Sequence, residues 1–487
     1  MNNHNGIPVF VKNTVERLMS SGFESYIVGG SVRDIVMGIE PKDWDVATSA
    51  KPHQIQAVFP NSFYENEFGT VGVKIDSESG DTAHIIEVTS FRTEEKYSDN
   101  RHPDNVVFTD SLEKDLARRD FTMNAIAMRL DGSFVDPFDG VRDIRSQTIR
   151  AVGDPNARFS EDALRILRAV RFIASLDFTI EHTTQQAIRS NASLLRKIAY
   201  ERIGAEISRL FEGQYSHKGI EAMRILSLLD IILPEVAKGI GVSQNKHHIY
   251  DVYEHNLFSL KWADENNYPF AVKVAALLHD VAKPQTKKGD GTNATFHGHD
   301  IMSAKVAYAI CERFRWSRKE CEHIALLVRH HMFYYDIDEV TEKSVRRLVS
   351  KVGKEKMDDL VKLRICDRMG SGVPKPEPYR LRHFQFMVEK VQKDPITVGM
   401  LDVNGNDIMK TLSLSPSPRI GYLLAALFEE VLDNPQHNTK EHLLQRAQEL
   451  NKLSDDALIA LYTHSKEKEH DTNEQESRKI KKKYFVE

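Results

Sequence analysis

The sequence predicts an α+β protein: a small α/β head followed by a long, mostly α-helical remainder. Up to about Gly140, short β-branched runs alternate with helical stretches. From Ser160 onward, apolar residues recur at helical spacing through Leu164, Leu167 and Phe172, then Ile203, Ile207 and Leu210, and strand signals nearly vanish. A chain of 487 residues also exceeds one comfortable hydrophobic core, so several compact units in series are expected.

In the head, Tyr26 to Val28, Trp44 to Ala47, Val71 to Ile75 and His84 to Val88 read as strands, and Ser31 opens a helix. Two stretches punctuate the helical part: Leu233 to Ser243, with Pro234, Gly239 and Gly241, and Gly370 to Pro378, with three prolines. The expected division is a head over 1–140, a helical neck over 141–240, a further helical domain over 241–372, a C-terminal helical region over 373–465 and a charged, disordered tail over 466–487.

Hydrophobic residues make up 41% of the chain and charged residues 28%, a globular balance rather than a disordered one. The net charge of -5 argues against blanket adhesion to nucleic acid, so any RNA contact must use local basic stripes. One candidate is Arg165, Arg168 and Arg171; a second, Lys343, Arg346 and Arg347, reads better as a solvated helix face. Three cysteines without a CxxC pair fit a reducing compartment and exclude a thiolate zinc knuckle. With no signal-like start and no bilayer-length apolar run, a cytoplasmic protein without membrane contact is expected; the oligomeric state stays open.

The chemistry-bearing residues begin at Val28-Gly29-Gly30-Ser31-Val32-Arg33-Asp34, where two glycines join strand to helix and can present N–H groups to a phosphate, or simply form a turn. In Asp43-Trp44-Asp45, alternation along a strand would bring both carboxylates to one face, where they could converge on divalent cations. Such hard oxygen ligands suit phosphoryl transfer. Glu87 adds a third carboxylate from a neighbouring strand, or is a solvated edge charge.

Asp162 and Arg165, three apart on a helix, share a face and would by default form an ion pair. They also have a base-reading logic. A carboxylate accepting from an exocyclic amine, beside a guanidinium donating to a ring nitrogen, admits cytosine and adenine and rejects uracil and guanine.

Ile27 to Asp34, followed by Pro41-Lys42-Asp43-Trp44-Asp45-Val46-Ala47-Thr48, resembles the catalytic signature of the class II tRNA nucleotidyltransferase and bacterial poly(A) polymerase family. The resemblance implies a polymerase-β-like head in which Asp43 and Asp45 hold catalytic Mg²⁺. Arg118-Arg119-Asp120-Phe121-Thr122-Met123-Asn124-Ala125 resembles the family's next motif, which places Arg119, Asp120 and Asn124 with Gly29, Gly30 and Arg33 around the nucleotide. On composition alone, Asp120 would instead be a helix N-cap.

Glu161 to Arg168 resembles the family's amino-acid template, with Asp162 and Arg165 reading the base and Arg168 beside them; Tyr200 through Glu206 resembles the motif that follows. Phe91 to Leu116, including Arg101-His102-Pro103, resembles the flexible loop that full CCA-adding members use in switching from C to A. These matches span roughly the first half of the chain, in the family's order.

Further on, Leu277-Leu278-His279-Asp280-Val281-Ala282-Lys283-Pro284 resembles the signature of the HD phosphohydrolase superfamily. It implies a second divalent-metal site at His255, His279, Asp280 and Asp367, extended by His299 and by His331 or its neighbour His330. Buried adjacent His and Asp are costly unless liganded or paired, which fits such a site.

The resemblance therefore implies template-independent addition of C, C and A to the 3′ end of tRNA from CTP and ATP, with release of pyrophosphate. A poly(A) polymerase, a partial CC- or A-adding enzyme, and a protein acting mainly as an HD-type phosphohydrolase remain competing readings.

Overall fold

The computed structural model describes residues 6–64, 69–75, 84–95, 105–244, 249–289, 293–336, 340–372, 375–392, 394–395 and 397–460. Arg101-His102-Pro103 and the charged tail lie outside them. The chain forms two compact units, one of residues 1–329 with 366–373, the other of 330–365 with 374–487.

The first unit opens with α1 (Val9–Ser20), β1 (Ser25–Val28), α2 (Gly30–Val36), β2 (Asp45–Thr48), α3 (Pro52–Val58), β3 (Ser62–Tyr64), β4 (Thr70–Ile75) and β5 (His84–Ser90). There follow β6 (Arg92–Glu95), β7 (Asn105–Phe108), α4 (Leu112–Ala117), β8 (Ala127–Met128), β9 (Phe134–Val135), α5 (Gly140–Arg145) and β10 (Thr148–Ile149). The main sheet runs β3-β4-β5-β2-β1-β8-β9 and is mixed, with β2 and β5 parallel and the other pairs antiparallel. Its centre is built from Ile27, Val28, Val46, Ala47, Val71, Val73, Ile86 and Val88, all buried; β1 and β2 are covered on both faces, whereas β5 alternates and leaves the face of Ile85 and Glu87 open.

Register places the site. Val28 faces Asp45 across the β1–β2 pair, and Asp45 faces Glu87 across the β2–β5 pair. In-register residues on neighbouring strands project to the same face, so two carboxylates sit side by side on one face of the two central strands.

The neck is helical, with α6 (Pro155–Glu161), α7 (Leu164–Leu176), α8 (His182–Asn191), α9 (Tyr200–Glu212), α10 (Ser216–Ile225), α11 (Leu229–Ile232) and α12 (Pro234–Ala237); β11 (Thr179–Ile180) pairs only with β10. Asp154 caps α6 by accepting from the Asn156 N–H, and Pro155 occupies the first helical position, where its missing N–H is harmless. Beyond the neck come α13 (Val252–Glu265), α14 (Phe270–Leu278), α15 (Lys283–Thr286), α16 (His299–Arg313), α17 (Arg318–His330), α18 (Glu342–Val352) and α19 (Met357–Gly370). A capping box of Asp251 and Glu254 starts α13, and α14 is buried from Ala271 to Leu278, which carries His279 into the interior.

In the second unit, α20 (Tyr379–Val391), α21 (Gly405–Leu412), α22 (Pro418–Asp433) and α23 (Lys440–Leu450) follow. Ile408, Leu423, Leu427, Val431, Leu443 and Ala447 form the centre of its apolar core. Lys343, Arg346 and Arg347 are not a solvated face. Arg346 is buried and donates to the Leu432 carbonyl and Asp394, Arg347 to Glu429 and Asp433, and Lys343 pairs with Asp433, so acidic groups of the same unit absorb the charge. Cys311, Cys321 and Cys366 are buried free thiols. Among the described residues, no helix is long and apolar enough to cross a membrane.

Candidate functional site

A cavity of about 860 Å³ lies in the first unit, lined by the Gly29-Gly30 turn, Asp45 and Glu87, the Arg118-Arg119-Asp120 segment with Asn124, and Asp162, Arg165, Arg168 and Arg171 from the neck. Nine arginines in the lining face five carboxylates, an excess of four positive charges, which suits a polyanion. Gly29 is required here. Its φ of 76° lies in the left-handed region, and a Cβ would stand 3.1 Å from Asp45 Oδ2 and 3.2 Å from Arg119 Nη1.

The strand begins at Asp45 rather than Trp44, so alternation along it does not reach Asp43. Pro41-Lys42-Asp43 form a bend that turns the Trp44 indole into the core, 8% exposed, and leaves Asp43 exposed. Asp43, Asp45 and Glu87 do not close to within 4.8 Å of one another as a ligand set. Asp43 and Asp45 are still electrostatically joined. Burial pushes the Asp45 carboxyl above its usual range, the Arg119 guanidinium pulls it down, and Asp43 pushes it up again.

Around the cavity wall, Arg33 donates to Asp34 Oδ1 and, at 3.0 Å, to Asn124 Oδ1. Asp120 is not a helix N-cap: the chain enters a 3₁₀ turn capped at Phe121. Its Oδ1 accepts from the Phe121 N–H and the Asn124 amide, and its Oδ2 takes both Nε (2.7 Å) and Nη2 (2.6 Å) of Arg168. Burial alone would raise this carboxyl, but the Arg168 charge and hydrogen bonds outweigh it and hold the pKa at about 2. For Arg171, burial dominates and lowers the guanidinium to about 10, despite Glu206 at 3.2 Å.

Asp162 and Arg165 do not share a helix face. Asp162 sits in an extended break between α6 and α7 (φ -134°, ψ 105°), where its Oδ1 accepts from the Leu164 N–H and its Oδ2 from Arg202 at 3.1 Å. Arg165 instead pairs with Glu161 at 2.7 Å and donates to the carbonyls of Arg158 and Arg118. The local preference of Asp for bonding the backbone N–H two residues on overrode the continuous helical pattern. Both side chains nonetheless line the same cavity.

The second constellation is buried. His255 Nε2 lies 3.0 Å from His279 Nε2, 3.4 Å from Asp280 Oδ2 and 3.3 Å from Asp367 Oδ1. His299 Nε2 is 3.2 Å from Asp280 Oδ1. His279 Nδ1 meets the Ala276 carbonyl and His299 Nδ1 the Phe296 carbonyl; a carbonyl only accepts, so both Nδ1 atoms donate. In the neutral rings each Nε2 is then a lone pair aimed at carboxylate oxygens, an arrangement that calls for a proton or a metal ion.

His255, His279 and Asp367 offer three donor atoms within 4.8 Å of one another. Burial lowers the His279 pKa, but Asp280 and Asp367 more than offset it and raise it to about 9. Gly370, one turn beyond Asp367, makes the close packing possible, since a Cβ there would meet the Ser259 hydroxyl at 2.1 Å and the His255 carbonyl at 2.6 Å. His331, also buried, belongs to the second compact unit.

Sequence reasoning gave no role to Lys283, which the helical spacing to Asp280 could have flagged. Its Nζ lies 2.5 Å from Asp280 Oδ2 and 2.7 Å from Gln244 Oε1, and it holds Asp280 ionised.

Residues 25–150 match the poly A polymerase head domain, 177–240 the probable RNA and SrmB-binding site of polymerase A, 252–369 the HD domain and 380–447 the tRNA nucleotidyltransferase domain 2. The CCA-adding enzyme of Ligilactobacillus salivarius is 31% identical over 440 residues, 90% of this chain and 95% of that one. The chain belongs to the CCA-adding enzyme family. The Latilactobacillus sakei member is 48% identical over 207 residues, an alignment that spans 42% of this chain and about half, 51%, of the relative. The crystal structure of the Bacillus stearothermophilus CCA-adding enzyme in complex with CTP matches with a TM-score of 0.66 and 26% identity, over 91% of this chain and 97% of that one.

Proposed function

We propose that the chain adds C, C and A to the 3′ end of tRNA from CTP and ATP without a nucleic-acid template. The observation that carries this reading is one cavity that joins the Asp45–Glu87 pair on the central strands to Asp162 and Arg165 of the neck, in a member of the CCA-adding family. The tRNA 3′-hydroxyl attacks the α-phosphate of the bound triphosphate; the new phosphodiester bond forms as the bond to the β-phosphate oxygen breaks, and pyrophosphate leaves.

Asp43 and Asp45, with Glu87 in register beside Asp45, are the residues that would hold Mg²⁺, which when bound neutralises charge on the triphosphate. The fit rests on Asp45, a carboxylate whose ionised form burial and Asp43 both disfavour and a cation would favour. Gly29 and Gly30 let the backbone approach the phosphates. Arg33, Arg119, Asp120 and Asn124 form the linked wall that positions sugar and phosphate, with Arg168 locked onto Asp120.

For base choice, Asp162 retains accepting capacity beyond its bonds to Leu164 and Arg202, and Arg165 is anchored by Glu161 with its guanidinium in the cavity. Accepting from an exocyclic amine and donating to a ring nitrogen selects C and A over U and G.

We assign the head to catalysis, the neck to base selection and RNA contact, and His255, His279, Asp280 and Asp367, extended by His299, to a second divalent ion. Its donor set of imidazoles and carboxylates suits a transition metal or Mg²⁺. The poly(A) polymerase descriptions of two matched regions keep that activity as the second reading. Incubating the protein with tRNA lacking its 3′ end and each triphosphate singly decides between them. Extension by CTP that stops after two residues, and by one A thereafter, is expected; long tails from ATP alone with CTP ignored would overturn the reading.

A further inference from the structure

A third group of potential ligands lies in the second unit, apart from the head cavity and the buried histidine cluster: Glu430 near the end of α22, His437 in the 3₁₀ turn Pro435–His437, and His442 in the first turn of α23. His437 Nδ1 lies 3.1 Å and His442 Nε2 2.8 Å from the same oxygen, Glu430 Oε1. The other oxygen, Oε2, accepts from Arg446 Nε at 2.8 Å, and Arg446 also pairs with Glu449. The two imidazole rings are 4.4 Å apart.

We propose that Glu430, His437 and His442 form a divalent transition-metal site of the zinc type that clips the turn and α23 to the end of α22. One nitrogen from each ring and one carboxylate oxygen converge from three successive elements. A tetrahedral ion at about 2.0–2.1 Å from each donor requires donor separations of about 3.3 Å; the two nitrogen–oxygen separations are 3.1 and 2.8 Å and all three donors lie within 4.8 Å of one another, so the carboxylate has to draw back from the rings by only about half an ångström to admit the ion. Arg446, on the oxygen turned away from the rings, orients the carboxylate as outer partners do in metal sites. The apolar core beneath, with Val431 on α22 and Leu443 and Ala447 on α23, fixes the two helices from which the ligands project. The histidine side chains are 38% exposed, so an ion has access and a water can complete the coordination.

The rival arrangement is a plain hydrogen-bonded cluster in which both rings donate to Oε1. It requires N–H on His437 Nδ1 and His442 Nε2, whereas a metal requires lone pairs on those same atoms. Equilibrium dialysis of the full chain against micromolar Zn²⁺, with bound metal counted, separates the two. The wild-type chain is expected to retain one equivalent more than the His437→Gln/His442→Gln double variant and than Glu430→Gln, which keeps the carbonyl acceptor but loses the charge.

Zinc held at the histidine cluster near His279 is common to all three proteins and cancels in the difference. ¹⁵N spectra of His437 and His442 should move to the metal-bound pattern as the extra equivalent binds. Equal zinc content in all three proteins, or a difference that develops only at millimolar zinc, overturns the proposal.

Discussion

The head cavity and the buried histidine cluster both gather carboxylates, yet they treat them in opposite ways. Asp45 borders an open, arginine-lined space and is held above its usual pKa, whereas Asp280 is enclosed by Lys283, His255, His279 and His299 and held well below. A carboxylate kept partly frustrated in an accessible site is one whose charge a transient ligand can relieve. A carboxylate already satisfied by a buried cation is part of the fabric of the fold.

The largest effect that would test this contrast is on stability. Asp280→Ala leaves Lys283 buried without its anion and should cost about 3–5 kcal/mol, read as a shift in the urea unfolding midpoint. If that variant kept wild-type stability, the cluster would not be the structural half of the pair. Asp45→Ala should instead leave the unfolding midpoint near wild type and lower nucleotide incorporation by about 10²- to 10³-fold at saturating triphosphate, the scale of losing one preorganised electrostatic group.

Selection of the base gives a sharper test within the cavity itself. Asp162→Ala should raise UTP and GTP incorporation relative to CTP and ATP by roughly ten- to a hundredfold, since one bidentate pairing carries about 1–3 kcal/mol of discrimination. Competition between labelled triphosphates on one tRNA measures the ratio. A uniform loss for all four nucleotides would reduce Asp162 to a partner of Arg202.

The head was readable because its strands are short β-branched runs whose ends the structure moves by only a residue or two, and because Gly29, Asp45 and Glu87 announce themselves by residue type. The neck was readable as helix but not in detail. Nothing in the apolar period tells that Asp162 leaves the helix to accept from the Leu164 N–H, nor that Arg165 turns to Glu161. Pairings across long separations were least accessible. Arg346 reaches Leu432 across 86 residues, and Arg168 reaches Asp120 across 48. Such contacts arise from packing, which a local pattern does not encode.

The Asp120–Arg168 pair gives a further prediction of intermediate size. Asp120 has its folded-state pKa depressed from 3.8 to about 2, so its contribution is present above the unfolded value and lost as pH falls. At about 1.4 kcal/mol per unit, Asp120→Asn should cost on the order of 2 kcal/mol near neutrality. The gap between wild type and variant should narrow as pH drops below 4 toward 2, followed by urea unfolding at each pH.

Asp45 yields the smallest effect and the opposite sign. Its folded-state pKa is raised, so the folded chain binds a proton more readily than the unfolded one, and the group's contribution to stability falls as pH rises from the unfolded value through the folded one. With a chelator present, Asp45→Asn removes that penalty and should be slightly more stable than wild type at neutral pH, with a flatter profile through the acid range. Adding Mg²⁺ should then stabilise the wild type and not the variant, because only the ionised carboxylate gains from a cation. Thermal denaturation with and without the ion measures both differences. If Mg²⁺ stabilised the two proteins equally, Asp45 would not be the carboxylate that the cation relieves, and the frustrated half of the comparison would fall.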